Sequence, residues 1–218
     1  HMSKVKPAYP LDFKTMFGVT TMGLSQMIAN SLITGFLMLY LTDYAGIYTG
    51  IAGKAAAVAT MMLLIGRIWD AVNDPMLGFV MDRSPRTRWG KFKPFMFWAT
   101  LASMILIIGL FNIPAGLSDV TKVALVYVLY IAFDTAFTLL PMTPLVQSLS
   151  NDSVVRTKLL ITPRIVTTFL SILMSFFLAI AIALGKDGVT PNIGLTVIVF
   201  MVPFTALSMF GIALIKEG

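Results

Sequence analysis

Residues 55–80 read AAAVATMMLLIGRIWDAVNDPMLGFV, and this stretch sets the fold class of the chain. An apolar helix crosses a bilayer with about 20 residues, so the stretch is long enough to span a membrane. It nevertheless carries three ionisable side chains, Arg67, Asp70 and Asp74. Each costs about 2.5 to 3.5 kcal/mol at the middle of a membrane, whereas each large aliphatic residue returns only about 0.3 to 0.6 kcal/mol. The charged groups must therefore be paired or hydrated inside a bundle of helices.

The polar residues of this stretch have a helical spacing. They stand at positions i, i+3, i+6 and i+7, which share one helix face that we expect to point into the bundle: Arg67, Asp70, Asn73 and Asp74. Two carboxylates and an amide oxygen one turn apart suit a hard monovalent cation, sodium if it is a metal ion, or a proton. The alternative is an ion pair between Arg67 and one carboxylate that only holds helices together. One arginine cannot neutralise both carboxylates, which favours the cation site.

The rest of the chain repeats this apolar pattern. Hydrophobic residues make up 57% of the 218 residues and charged residues 12%, about half the charged share of a soluble domain. Six runs are long enough to cross a bilayer, and we predict them as spans 1 to 6 at residues 16–41, 55–80, 94–113, 122–147, 159–184 and 193–215. The prediction is an all-α polytopic membrane protein with one six-helix bundle over residues 16–215. Cytoplasmic segments should flank it, residues 1–15 before it and the start of a loop at residues 216–218 after it.

The first residues and the rare residue types exclude several classes of protein. His1-Met2 is typical of a residual expression tag, and the first apolar run starts too late and is too long for a cleavable signal, so span 1 should remain. The chain has no cysteine, and His1 is its only histidine, which excludes disulfides, thiolate chemistry and histidine-based metal or proton-relay sites. The sequence contains no nucleophile–base pair, metal-ligand set or nucleotide-binding loop. We expect neither an enzyme nor a covalent cofactor.

The basic residues predict an orientation in the membrane. The formal net charge is +6, but these residues alternate between loops and form no single basic face, so we expect no nucleic-acid partner. Most of them precede span 1, join spans 2 and 3, join spans 4 and 5, or follow span 6: Lys4, Lys6, Lys14, Arg83, Arg86, Arg88, Lys91, Lys93, Arg156, Lys158 and Lys216. The other loops hold only Lys54, Lys122 and Lys186. By the positive-inside rule, we expect a protein of a cell inner or plasma membrane with both termini on the cytoplasmic side.

Polar residues in the other spans predict which helices line a cavity. Gln26 and Asn30 share one face of span 1, which should point into the bundle, and span 5 carries Arg164 after Pro163. Spans 3 and 6 hold almost no polar side chains, so we expect scaffold or lipid-facing helices there.

Span 4 combines polar residues with a break. It carries Asp134, Thr135 and Thr138, and Pro141 and Pro144 should then kink or end the helix. Asp134 could hydrogen-bond to the hydroxyl groups of a sugar, or it could pair with an internal arginine.

Two stretches resemble the glycoside-pentoside-hexuronide cation symporters: Arg67-Ile-Trp-Asp-Ala-Val-Asn-Asp-Pro75 and, after it, Arg88-Trp-Gly-Lys-Phe-Lys-Pro94. These symporters are melibiose-carrier-like members of the major facilitator superfamily, and Gly78 to Lys91 also resembles the loop signature of that superfamily. The resemblance covers all six spans, which correspond to the N-terminal half of a twelve-helix transporter. It implies a secondary active transporter for a sugar or glycoside, coupled to sodium or a proton by alternating access.

The resemblance also implies roles for individual residues. The family's cation site falls on Asp70, Asn73 and Asp74, which are the residues found by spacing, and its sugar-binding arginine falls on Arg164. The alternative for Arg164 is a side chain that reaches lipid phosphates at the cytoplasmic end of its helix. With Asp134, Gln26 and Asn30, Arg164 makes up the predicted substrate-binding set.

Three positions depart from the melibiose-carrier pattern. Its sugar-binding carboxylate in helix 1 corresponds to a position near Met27 and its helix 4 carboxylate to a position near Leu139, and neither residue is acidic here. Its cation-assisting threonine corresponds to a position near Ala136, although Thr135 and Thr138 stand on either side and are included in the predicted cation set. The substrate and the coupling ion can therefore differ from those of the melibiose carrier.

The segment around the end of span 2 is the candidate gate. Glycine permits close helix approach, and the charged residues can form contacts that break when a gate moves; the candidates are Arg67, Gly78, Asp82, Arg83 and Arg88. The alternative is an ordinary basic loop.

The predicted partners are lipid, a sugar, and either a missing C-terminal half or a second copy of the chain. The polar faces of spans 1, 2, 4 and 5 would be costly against lipid, and a parallel two-fold dimer would turn them toward a shared cavity. The alternatives are a monomer with a closed or water-filled cavity, and an isolated half that binds or assembles without transporting.

Overall fold

The computed structural model describes residues 12–216, and within that range the chain is helical, with no strand. Spans 2 to 6 each contain a helix that is long and apolar enough to cross a membrane, and the bent span 1 brings the number to six. The helices run Lys54–Arg83 in span 2, Lys93–Leu110 in span 3, Asp119–Thr138 and Met142–Leu149 in span 4, Ser153–Ser175 and Phe177–Ala183 in span 5, and Ile193–Leu214 in span 6. The predicted all-α class is confirmed. Most of the predicted N-terminal segment, residues 1–11, and residues 217–218 lie outside the described range.

Span 1 is the least regular of the six. It consists of helices Phe13–Met22 and Leu24–Gly35, the single turn Leu37–Leu39 and a π-helical turn Tyr40–Tyr44, with a bend of 49° after Gly35. Asp12 caps the first helix through its side chain. The prediction of one continuous span over residues 16–41 was therefore too simple.

Span 4 breaks where its prolines predict. The helix ends at Thr138 and a second one begins at Met142, so the break predicted within residues 122–147 is confirmed. Pro141 caps the second helix and Pro144 lies in its first turn, where a missing N–H removes no helical hydrogen bond. Pro75, inside span 2, leaves its helix continuous.

Span 6 forms the packing centre of the bundle, with contacts to spans 1 and 3. The backbone N–H of Ser25 donates to Ser208 Oγ at 2.9 Å, and the Ser25 and Thr205 hydroxyls are 2.9 Å apart. Gly211 permits this close approach because a Cβ there would stand 2.0 Å from Thr21 Oγ1. Span 6 is therefore a scaffold helix, the first of the two expected roles.

The loops gather at two opposite ends of the bundle. At one end, the amino group of Lys93 donates to the carbonyl of Ile215, which joins the start of span 3 to the end of span 6. At the other end, the buried amino group of Lys122 donates to the carbonyls of Ala45 and Gly46 at 3.3 and 3.1 Å. The five basic residues between spans 2 and 3 therefore lie at the end opposite Lys122.

Candidate functional site

The interface between spans 2 and 4 is closely packed. Gly66 allows the ring of Tyr130 to approach, because a Cβ on Gly66 would stand 2.5 Å from Tyr130 Cε1. One turn along, Trp69 Nε1 donates to Thr135 Oγ1 at 3.0 Å. These two contacts fix how the helices are aligned along their length.

That alignment brings three carboxylates of the two spans near one another. The carboxyl groups of Asp70 and Asp134 lie within hydrogen-bonding distance across the interface. One turn further, Thr138 Oγ1 lies 3.2 Å from Asp74 Oδ1 and 3.0 Å from the carbonyl of Asp134. Span 4 thus contacts both acidic residues of span 2.

The predicted polar face of span 2 is divided by this packing. Asn73 is buried and Asp70 is half-buried, whereas Arg67 and Asp74 are exposed at the edge of the interface. Arg67 is close enough to act electrostatically on Asp134, yet within residues 12–216 it forms no salt bridge with any of the three carboxylates. The face therefore does not point wholly into the six-helix bundle, and the alternative of a structural ion pair through Arg67 gains no support.

Several atoms in this interface lack partners. Asn73 is 0% exposed, and neither its Nδ2 nor its Oδ1 has a hydrogen-bond partner; the buried Oδ2 of Asp134 has none either. A buried polar group without a partner costs about 1 to 3 kcal/mol, and such groups are rare in folded proteins. The interface therefore contains polar atoms that a bound species could satisfy.

The oxygen atoms available fit a monovalent cation better than a multivalent metal. Among residues 12–216 no three Asp, Glu, His or Cys side chains converge closely enough to hold a metal ion. Carboxylate oxygens of Asp70 and the amide oxygen of Asn73 are ligands that hard cations prefer. Thr135 is less available, because its hydroxyl donates to the carbonyl of Ile131 and accepts from Trp69.

The predicted substrate residues largely share one cavity. A cavity of about 570 Å³ lies between spans 1, 4 and 5, and Gln26, Asn30 and Arg164 all line it. Asp134 does not line this cavity, in contrast to the prediction that grouped it with them. A single helix can present residues to two different sites, and Asp134 faces span 2.

Two residues of the cavity were missed by sequence reasoning. Thr20 lines it with a buried hydroxyl that has no hydrogen-bond partner, and Thr143 lines it from the second helix of span 4. Gly23 allows Met142 to approach, since a Cβ there would stand 2.6 Å from Met142 Cε. The break in span 1 at Gly23 therefore contacts the break in span 4 beside this cavity. In the sequence, the prolines of span 4 were the signal that could have indicated this.

The candidate gating residues are at the surface. Arg83 lies over the ring of Phe79 at 3.9 Å, and the carbonyl of Asp82 accepts from Lys91 at 3.0 Å. Asp82, Arg83 and Arg88 are exposed. A Cβ on Gly78 would meet no atom within 4 Å, so the close helix approach expected there occurs at Gly66 instead.

Comparisons with known proteins show what the chain is similar to. A family model described as MFS/sugar transport protein matches residues 16–216. An uncharacterised symporter of Synechocystis sp. is 31% identical over 165 residues, which are 72% of this chain and 29% of that protein. A glucuronide carrier protein homologue of Escherichia coli is 37% identical over 51% of the chain and 24% of its own length. An isoprimeverose transporter of Lactiplantibacillus pentosus is 32% identical over 56% of the chain and 24% of its own length. The chain thus matches less than a third of the length of each relative.

Proposed function

The chain belongs to the MFS/sugar transport protein family, whose members are membrane transporters and not enzymes, and we propose that it is the N-terminal half of a cation-coupled sugar or glycoside transporter. It is an integral membrane protein, and residues 12–216 contain six spans when the bent span 1 is counted as one. The names of two relatives, a glucuronide carrier homologue and an isoprimeverose transporter, support a sugar or glycoside as the substrate class. The name symporter on a third supports coupling to a second solute.

The observation that carries this proposal is that span 4 belongs to both candidate sites. Its first helix meets Asp70 and Asp74 of span 2, and its second helix lines the cavity with Arg164 and Gln26. The break between these helices lies between the two sites. A shift of span 4 would therefore change the geometry of both sites, and coupling between two ligands requires such a shared change.

Charge supplies a physical reason for such a shift. Asp70 and Asp134 repel each other across the interface when both are ionised, because the interior of a membrane protein screens charge poorly. With that charge compensated, spans 2 and 4 can pack more closely. We propose that this closer packing favours the arrangement of spans 1, 4 and 5 that holds the sugar, and that the bundle then rocks against a second bundle.

The driving force would be electrochemical. A charge that crosses 100 mV yields about 2.3 kcal/mol, which is enough to accumulate a substrate without ATP. Both termini would face the cytoplasm of a cell inner or plasma membrane, because the loop with five basic residues lies at their end of the bundle.

Flux measurements test the proposal directly. In vesicles that contain this bundle with its second bundle, isoprimeverose or a phenyl glucuronide should drive sodium or proton uptake. The double variant Asp70→Asn with Asp74→Asn should abolish that cation flux. The control Asp43→Asn, in the turn that ends span 1, should not. Sugar-dependent cation flux that survives the double variant would contradict the proposal.

A second candidate function is an isolated half that binds or assembles, as a homodimer, without transporting. The exposure of Arg67, Asp74 and Arg164 on spans 2 and 5 favours it, because charged side chains against lipid are costly. A second copy of the chain would cover them as well as a different second bundle would.

A further inference from the structure

The position of Asp134 is explained neither by the spacing of polar residues in span 2 nor by the cavity assigned to the sugar. Its carboxyl group is within hydrogen-bonding distance of the Asp70 carboxyl and near Asp74 and Arg67. It does not line the cavity that contains Arg164. Its chemistry must therefore be explained together with span 2.

Asn73 provides an independent observation at the same place. Its side chain is fully buried with both amide atoms unpartnered, and Asp134 Oδ2 is also buried without a partner. Asn73 stands between Asp70 and Asp74 on the helix, and those neighbours contact Asp134 and Thr138 of span 4. Asn73 also lies two turns after Gly66, whose helix face packs against Tyr130 of span 4, so the buried amide lies on the side of span 2 that faces span 4.

We propose that Asp134 is the carboxylate that span 4 contributes to the cation site, and that the site binds a monovalent metal cation through oxygens of Asp70, Asn73 and Asp134. This inference rests on the cation-coupled function proposed above and adds its span 4 ligand. It removes Asp134 from the sugar site.

The nature of the orphaned atoms favours a metal cation over a proton. A proton bridges two oxygens, so one shared by Asp70 and Asp134 would leave the amide oxygen of Asn73 unpartnered. A metal cation binds charged and neutral oxygens together. Asp70, Asp74 and Asp134 with Arg67 nearby would leave a local charge of two negative units if all three carboxylates were ionised, which attracts a cation.

Trp69 offers a reporter for this site, because its Nε1 donates to Thr135, the neighbour of Asp134. Replacement of the exposed Trp89 and Trp98 by Phe leaves Trp69 as the only tryptophan. The full chain in lipid nanodiscs is titrated with NaCl against choline chloride at constant ionic strength, and tryptophan fluorescence is recorded. We expect a saturable sodium response whose midpoint rises about tenfold or more in Asp134→Asn, and an unchanged midpoint in the control Asp43→Asn.

The variant Asn73→Leu tests whether Asn73 is a cation ligand or only a structural residue. It also provides a second test if Asp134→Asn does not fold. Leu removes an unpartnered buried amide, so the variant should be at least as stable to heat as the parent, while its sodium midpoint should rise about tenfold. Greater stability with an unchanged midpoint would overturn the inference.

The outcomes also distinguish this inference from the function on which it rests. If Asp134→Asn keeps the sodium midpoint of the parent while Asp70→Asn loses the response, Asp134 is not a ligand and the cation-coupled function stands. If neither variant changes the midpoint, or if the parent shows no saturable response to sodium, this inference is overturned. In those cases the flux test with the Asp70 and Asp74 double variant decides the function separately.

Discussion

At residue 164 the guanidinium group faces a cavity that it shares with Gln26 and Asn30. The sequence could predict that these side chains line one cavity, because polar residues within membrane-spanning helices usually face the interior of the bundle or a water-filled cavity. It could also predict from spacing that Asp70, Asn73 and Asp74 share a face. The contact between Asp70 and Asp134 could not be predicted, since it depends on an alignment of two helices that Gly66, beside Tyr130, permits.

Arg164→Lys tests the role of Arg164 against its alternative. Lysine keeps the charge that a lipid phosphate requires but loses the planar fork that would hold a pair of sugar hydroxyl groups. We expect sugar affinity to fall about tenfold or more, the usual loss for a hydrogen bond to a charged group. Calorimetric binding measures it, with Arg156→Lys, earlier in the same helix, as the control. Equal affinity in the parent and Arg164→Lys would favour the lipid-phosphate role.

At the scale of the helices, apolar composition and proline positions predicted the six spans and the break in span 4. Composition could not show that span 6 is central, because a bland apolar helix looks the same against lipid and against protein. Its position follows from small residues, Gly211 and Ser208 against span 1, whose effect depends on which helix lies opposite.

Gly211→Ala tests this packing. The new methyl group would stand 2.0 Å from Thr21 Oγ1, so spans 1 and 6 must separate, and we expect a loss of about 1 to 3 kcal/mol of stability. Gly109→Ala is the matched control, because its methyl group would meet Leu129 at an ordinary 3.6 Å. Thermal unfolding in detergent should show a lower midpoint for Gly211→Ala alone; equal midpoints would show that the contact is not tight.

Lys122 makes a similar contribution at the far end of the bundle. It is 5% exposed, and its amino group donates to the carbonyls of Ala45 and Gly46. Lys122→Met keeps most of the side-chain volume but leaves two carbonyls without a donor, so we expect a loss of about 1 to 3 kcal/mol. Lys186→Met, in an exposed loop, should leave the unfolding midpoint unchanged. Equal loss in both variants would point to a general effect of charge.

At the scale of the whole molecule, spans 2 and 5 present charged and hydroxyl-bearing faces that no part of residues 12–216 covers. The sequence predicted these faces, but it could not predict which partner covers them. A second bundle and a second copy of the chain satisfy the same physical need, because both shield the charged face of span 2 from lipid.

Cross-linking distinguishes these partners in this cysteine-free chain. Ala71→Cys places a thiol between Arg67 and Asp74 on the exposed face of span 2, and Ile105→Cys places one on the exposed surface of span 3. If the chain forms a parallel two-fold dimer, Ala71→Cys should cross-link in lipid and Ile105→Cys should not. Only monomer for both variants, at a high protein-to-lipid ratio, would exclude the homodimer.

The coupling between the two sites is tested most directly by equilibrium binding. The affinity for isoprimeverose or a phenyl glucuronide is measured in the complete two-bundle protein, with sodium replaced by choline and at two pH values. We predict that sodium or protons raise the sugar affinity by at least about fivefold, a typical coupling free energy of 1 kcal/mol or more, and that Asp70→Asn with Asp74→Asn abolishes the increase. Sugar affinity that is the same at every sodium concentration and pH would contradict cation coupling through spans 2 and 4.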